Sequence, residues 1–181
     1  MEEELRGVPM RERWLKKKRR QDQRGITLVE IIIVIAIIGI LASTAVMMIG
    51  HLHYADTQKV MKTLDASLNQ LQVKSISKSG NYYLYIYHLD NGYYEQILPD
   101  NLSAFDATKL TKDGTKLSNN TIKLCQDGTE LAENGFMKIA YTKQATFDTA
   151  NTTVQTILID GVPKYSIRLV MDTGKHFVES N

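Results

Sequence analysis

One carboxylate stands at the head of an apolar run. Glu30 is followed by nineteen uncharged residues, Ile31 to Ile49. A helix of about 20 such residues can cross a bilayer. An unpaired carboxylate at the centre of such a span costs roughly 2.5–3.5 kcal/mol on insertion scales. A plain anchor has no use for that cost, so Glu30 calls for a cationic partner. The chemistry on offer is ion pairing in a low dielectric.

Other polar residues offer less. His51 and His53 flank Leu52. On a helix that spacing turns the two imidazoles about 200° apart, a poor chelating geometry. They read as polar residues at an outer membrane interface. His88 and His176 have no acid or Cys at a metal-ligand spacing. The Asp-Gly pairs at Asp113, Asp127 and Asp160 match no twelve-residue calcium loop, and turn chemistry accounts for them. Ser, His and Asp occur without a nucleophile elbow, and there is no phosphate-binding loop. The sequence points away from an enzyme and calls for no metal or other cofactor. Cys125 is the sole cysteine, so no intramolecular disulfide can form, and it reads as a small core or sheet residue.

Several elements must position Glu30. Residues 1–25 hold nine Lys/Arg against five Asp/Glu, whereas the rest of the chain is net −2. Basic residues ahead of a span are retained on the cytoplasmic side. The expected precursor is therefore a single-pass membrane protein with its N-terminus inside. The apolar run is longer than the roughly 7–15 residues of a secretory signal core. One helix is expected from Thr27 to about Ser79. Its first half is apolar all round. Its second half is amphipathic, with Tyr54, Met61, Leu64, Leu68 and Leu71 on one face. Ser79-Gly80-Asn81 is a stop signal.

Beyond Gly80 the hydrophobic period falls from 3.6 to 2. Tyr82–His88 and Tyr93–Leu98 flank Asp90-Asn91-Gly92, a hairpin signal. Pro99 to Asn120 reads as a long loop with one helical turn near Ser103–Leu110. Further strands are expected at 121–125, 135–142, 154–159, 165–171 and 175–178. The fold class is α+β: a long N-terminal helix whose amphipathic half packs on a C-terminal antiparallel sheet. The expected organisation is a leader over 1–25, an apolar half-helix over 26–50, an amphipathic half over 51–80 and an extracytoplasmic β domain over 81–181. Alternation sends Tyr83, Tyr85 and Tyr87 to one face or edge of their strand and Tyr82, Leu84 and Ile86 to the other. Tyrosines at the rim of the sheet are expected. The functional alternative is a stacking platform for glycans or single-stranded DNA. The net charge of −2 beyond residue 25 does not favour DNA, whose binding rests on phosphate neutralisation.

Gly25, then Ile26-Thr27-Leu28-Val29-Glu30, then the apolar helix, resembles the class III signal of type IV prepilins and pseudopilins. The resemblance implies cutting between Gly25 and Ile26 by a membrane prepilin peptidase, followed by N-methylation of Ile26. Ile26 stands where the family usually has Phe. It also implies that Glu30 is the family's signature carboxylate at the fifth mature position, pairing with the amine of a neighbouring Ile26 to set filament register. The implied function is a structural subunit of a type IV pilus-like or type II secretion-like filament. The implied partners are the peptidase, other pilin subunits, an inner-membrane platform with a cytoplasmic ATPase, and membrane lipid before assembly. The implied locations are the cytoplasmic membrane and then an extracytoplasmic filament. The strands near 121–124 and 154–175, with their Thr173-Gly174 ending, are similar to those of H-type minor pseudopilins, and a related minor pseudopilin occurs in Gram-positive competence systems. The rival from another class is a non-cleaved, membrane-anchored extracellular binding domain, an adhesin or sensor. It leaves Gly25 and Glu30 unexplained.

Overall fold

The computed structural model describes residues 27–180, and over residues 44–52 it describes the backbone alone. The chain divides into two compact units, Met1–Val46 and Met47–Asn181. Helix α1 runs over Leu28–Ser77.

In the second unit α1 presents a buried stripe. Thr57, Val60, Leu64, Leu68, Leu71 and Ser75 are buried, at the steps of three and four that share a helix face. Met61 packs at the margin of the core. Tyr54, expected on this face, is instead 46% exposed. The buried row begins at Thr57, while the Tyr54 hydroxyl accepts a hydrogen bond from Gln58 Nε2 on the helix surface. Thr57 is covered by the chain at Gly161, where a Cβ would collide with the Thr57 side chain. Beyond the last turn, Lys143 Nζ donates to the carbonyls of Ser75, Lys78 and Gly80 at 2.7, 2.6 and 2.8 Å. That ammonium serves one carbonyl of the last helical turn, at Ser75, and two of the segment that follows it.

The strands are β1 (Tyr83–Leu89), β2 (Gly92–Leu98), β3 (Thr115–Ser118), β4 (Lys123–Gln126), β5 (Thr129–Glu130), β6 (Phe136–Ala140), β7 (Thr156–Asp160), β8 (Tyr165–Val170) and β9 (Lys175–Ser180). One antiparallel sheet is expected from the alternation, but the described residues form two. Their strand orders are β3-β2-β1-β6 and β5-β4-β7-β8-β9. The division comes from pairings distant in sequence. β1 pairs with β6, and β4 pairs with β7, all antiparallel. Local alternation carries no information about such partners. The fold is α+β. The expected hairpin closes with Leu89 opposite Gly92, and Gly92 has φ 136°, which suits glycine. The helical turn expected near Ser103–Leu110 is a single turn closed by Leu110 N–H donating to Asp106 O at 2.8 Å.

The first sheet buries both faces. Leu84, Ile86, Tyr93, Met137 and Ile139 join the α1 stripe and the inner residues of the second sheet, among them Leu124, Ile157 and Ile167. Tyr83, Tyr85, Tyr87 and Tyr94 form a separate core with Leu102 and Leu110. The expected division of Tyr83, Tyr85 and Tyr87 from Tyr82, Leu84 and Ile86 therefore holds, but the first three lie beneath the 99–114 loop, not at a rim. Tyr85 Oη donates to Asp100 O at 2.8 Å and accepts from Leu102 N–H at 2.7 Å. Tyr87 Oη donates to Thr111 O at 2.6 Å. Buried hydroxyls need such partners, and here the loop carbonyls supply them. Rings so covered cannot stack on bases or sugars.

One charge-bearing side chain enters the interface between α1 and the first sheet. Glu95 on β2 is 4% exposed. Its Oε1 accepts from Ser67 Oγ of α1 at 2.6 Å. Its Oε2 is buried without a partner among the described residues. Burial pushes this carboxyl up to about 7, against a smaller lowering by the Ser67 hydrogen bond.

Candidate assembly segment

The first unit's described side chains are those of 27–43. Thr27 precedes the first residue of α1, and its Oγ1 accepts from Glu30 N–H at 3.2 Å. Glu30 N–H also donates to Thr27 O at 3.0 Å. Thr27 is thus an N-cap, and Thr27-x-x-Glu30 has capping-box spacing. A carboxylate in the first turn further suits the positive end of the helix dipole. Glu30 therefore has a local reason for its place besides any intermolecular one. The Thr-x-x-Glu spacing was the sequence signal for it.

Glu30 is exposed. So is the apolar surface that follows: Leu28, Val29, Ile31 to Ile35, Ile37, Ile38, Ile40 and Leu41 are 46–74% exposed. An apolar surface this continuous marks an interaction site on a protein or in a membrane. Burying one such Leu or Ile side chain is worth about 1.5–3 kcal/mol. The segment offers an anion at the helix start and an aliphatic cylinder behind it. It can bind hydrophobically and pair one cation at a fixed axial position.

Gly25 and Ile26, the expected cleavage and methylation residues, lie outside the described residues. Among the described residues no helix is long and apolar enough to cross a membrane. The uncharged run continues from Thr44 to Ile49, whose side chains are outside that set. His53 is exposed, and no group of side chains suited to a metal ion occurs among the described residues. His88 is engaged structurally. Its Nδ1 lies 3.0 Å from Leu131 O, its Nε2 lies 3.2 Å from Asn120 Oδ1, and its ring stacks on Tyr93. Asp127 Oδ1 accepts from the N–H groups of Gln155 and Thr156, which is turn and loop chemistry. Cys125 is buried and free, and burial pushes its thiol up, away from reactivity. Sequence reasoning missed Glu95. Its signal was a charge between Tyr93 and Ile97, two inward positions of an alternating strand.

Among the described residues of this unit, a capped helix start, one carboxylate and an exposed aliphatic cylinder stand together. Residues 20–46 match the family model described as the prokaryotic N-terminal methylation motif. The chain thus carries a prepilin-type motif. It is also similar to the type II secretion system core protein G of Klebsiella michiganensis, with 45% identity over 62 residues. That stretch covers 34% of this chain and 44% of the relative, so the similarity spans less than half of the relative's length. No solved structure matches. The motif and the relative together support a prepilin or pseudopilin.

Proposed function

We propose that the chain is a structural subunit of a pilus-like or type II secretion-like filament, made as a membrane-anchored precursor. Prepilin peptidase cuts it between Gly25 and Ile26. The new Ile26 amine is methylated, and Glu30 of one subunit pairs with the Ile26 amine of a neighbour. The observation that carries this is the coincidence of Gly25, Ile26 and Glu30 with the matched methylation motif over 20–46, ahead of the exposed aliphatic surface of α1.

The chain passes through two environments. In the membrane, residues 26–50 are solvated by lipid, and Glu30 sits near the cytoplasmic end, where its cost is moderated. In the filament, the aliphatic cylinders pack against one another. There an unpaired buried charge is strongly unfavourable, and pairing with an ammonium relieves both partners only in the correct axial register. The globular part beyond residue 50 stays extracytoplasmic, with residues 51–80 as the helical spine of the 81–181 β domain. A platform in the inner membrane and a cytoplasmic ATPase supply the work of extraction. The fold of the whole is pilin-like on this proposal.

The test is a bulky residue at Gly25. Gly25→Trp should leave the leader attached, visible as the full precursor mass in the membrane fraction. A product of mature mass from that variant would refute the site.

A further inference from the structure

Among the described residues the two sheets end at β3, β6, β5 and β9. Three of these edges are short or covered. β3 spans only Thr115–Ser118, and its register with β2 shifts between Tyr93 and Tyr94. β5 has two residues. The free side of β6 is covered by the chain that follows: Asp148 N–H donates to Ala140 O at 2.9 Å and Thr153 N–H to Lys138 O at 2.8 Å. β9 differs. It runs unbroken over Lys175–Ser180, holds no Pro, and pairs with β8 on one side alone. Phe177 and Val178, 47% and 37% exposed, are the only large apolar side chains exposed on any described strand. A long open edge with exposed apolar residues is a template for a further strand.

The ladder already in place restricts which strand fits. Leu169 N–H donates to Gln155 O, on the β7 side, at 2.8 Å. Backbone groups of successive residues point to opposite sides of a strand. Arg168 and Val170 therefore face β9 and exchange bonds with Phe177 and Lys175 opposite them. Along β9, Lys175, Phe177 and Glu179 are turned to β8, while His176 and Val178 turn their N–H and C=O outward. An antiparallel copy of β9 engages those groups only where outward residues meet outward residues. Centring the pair on Phe177 achieves this, with His176 opposite Val178 of the copy. The same register sets Lys175 opposite Glu179 at both ends. It also sets Phe177 opposite Phe177 in a non-hydrogen-bonded pair, where side chains approach most closely. Centring on His176 would set Lys175 opposite Phe177, and centring on Val178 would set Phe177 opposite Glu179. Only the Phe177 register matches the charges. Lys175 and Glu179 are exposed, and the 3.7 Å contact of Glu179 with Arg168 of its own chain is a surface pair worth little.

Helix α1 decides which copies can meet this way. Thr57 lies against Gly161, Asp65 Oδ1 is 2.9 Å from His176 Nε2, and Gln72 Nε2 is 3.5 Å from Gly174 O. This part of α1 therefore runs alongside β8 and β9, from the turn before β8 to the turn after it. A twofold axis through the Phe177 pair stands perpendicular to the sheet, so it reverses α1. Copies in one membrane or one filament point the same way. The contact suits copies in two filaments that lie side by side in opposite senses.

We propose that β9 pairs antiparallel with β9 of a second copy of this chain in a neighbouring filament, centred on Phe177 with Lys175 opposite Glu179. This rests on the filament function proposed above. The contact is self-complementary and closes at two copies.

Oxidative cross-linking of the full chain in sheared surface filaments tests this, with buried Cys125 left in place. Phe177→Cys should give a disulfide dimer and nothing larger, because the residue meets itself across the axis. Glu179→Cys should give none, since its two copies stand roughly 13 Å apart along the strands. Lys175→Cys combined with Glu179→Cys, which keeps Phe177, should give the dimer again. In the Phe177→Cys background, Lys175→Glu or Glu179→Lys should lower the dimer fraction about tenfold, because like charges then stand opposite at both ends. The two reversals together should restore it. The pairing is overturned, and the filament function spared, if filaments that hold the chain give no Phe177→Cys dimer. The same holds if Glu179→Cys links equally well, if Phe177→Cys links to a different protein instead, or if charge reversal has no effect. A chain that never enters sheared filaments overturns both.

Discussion

Replacing Glu95 with Gln should stabilise the globular unit above neutral pH and do little in acid. The carboxyl is 4% exposed in the α1–sheet interface, with Ser67 Oγ at 2.6 Å on one oxygen. Burial raises it from 4.5 to about 7. An acid whose folded value is raised holds its proton more tightly in the folded state. Its stabilising contribution is full below about 4.5, falls as pH rises from there, and is lost through about 7. At about 1.36 kcal/mol per unit, the loss across that window is roughly 3 kcal/mol. For a unit of this size that corresponds to about 6–12 °C in Tm. Glutamine keeps an oxygen to accept from Ser67 but cannot ionise. Thermal unfolding of the full chain in detergent, followed by circular dichroism from about pH 4 to about pH 8, measures the difference between the two proteins. The Glu95→Gln protein should gain on the wild type as pH rises, by roughly 3 kcal/mol in all. A difference that does not change with pH would refute the reasoning, since it would mean that Glu95 ionises as freely in the fold as in the unfolded chain.

Two further substitutions separate roles that coincide at one residue. Glu30→Gln preserves a capping-box side chain, as Gln serves at that position, but removes the charge, whereas Glu30→Ala removes both. If the charge sets filament register, both variants insert and are cleaved normally, and both are poorly incorporated into sheared filaments. Incorporation of Glu30→Gln at the wild-type level would leave Glu30 with a capping role alone. Tyr85→Phe removes one donor to Asp100 O and one acceptor for Leu102 N–H. It should cost about 1–3 kcal/mol and speed limited proteolysis within 99–114. An unchanged cleavage rate would show that the loop is held without this hydroxyl.

The helix face and the strands were largely legible because both depend on local periodicity. Leu64, Leu68 and Leu71 repeat at helical steps and are buried. Tyr83 to Tyr87 alternate, and the two faces of β1 do enter different cores. What failed were matters of partnership. β3 is Thr115-Lys116-Leu117-Ser118, too polar and short to stand out from the loop around it. Its pairing with β2 decides its conformation. The tyrosines were expected at an edge because no local pattern says that a polar loop folds over them. Asp100, Leu102 and Thr111 cover them with backbone groups, which every residue type carries. Glu95 was legible only as an exception to alternation. At the assembly segment, Glu30 stood out as a charge beside an apolar run. Its capping relation to Thr27 was written in the same spacing and became visible through the 3.2 Å contact.

The proposed maturation has one direct measurement. The protein is taken from its native membrane and from sheared surface material, and its N-terminus is determined by sequencing and intact mass. A mature chain should begin at Ile26 and carry one added methyl group on its amine. A chain that reaches the surface material still bearing residues 1–25 would contradict the filament-subunit function and favour a non-cleaved anchored domain.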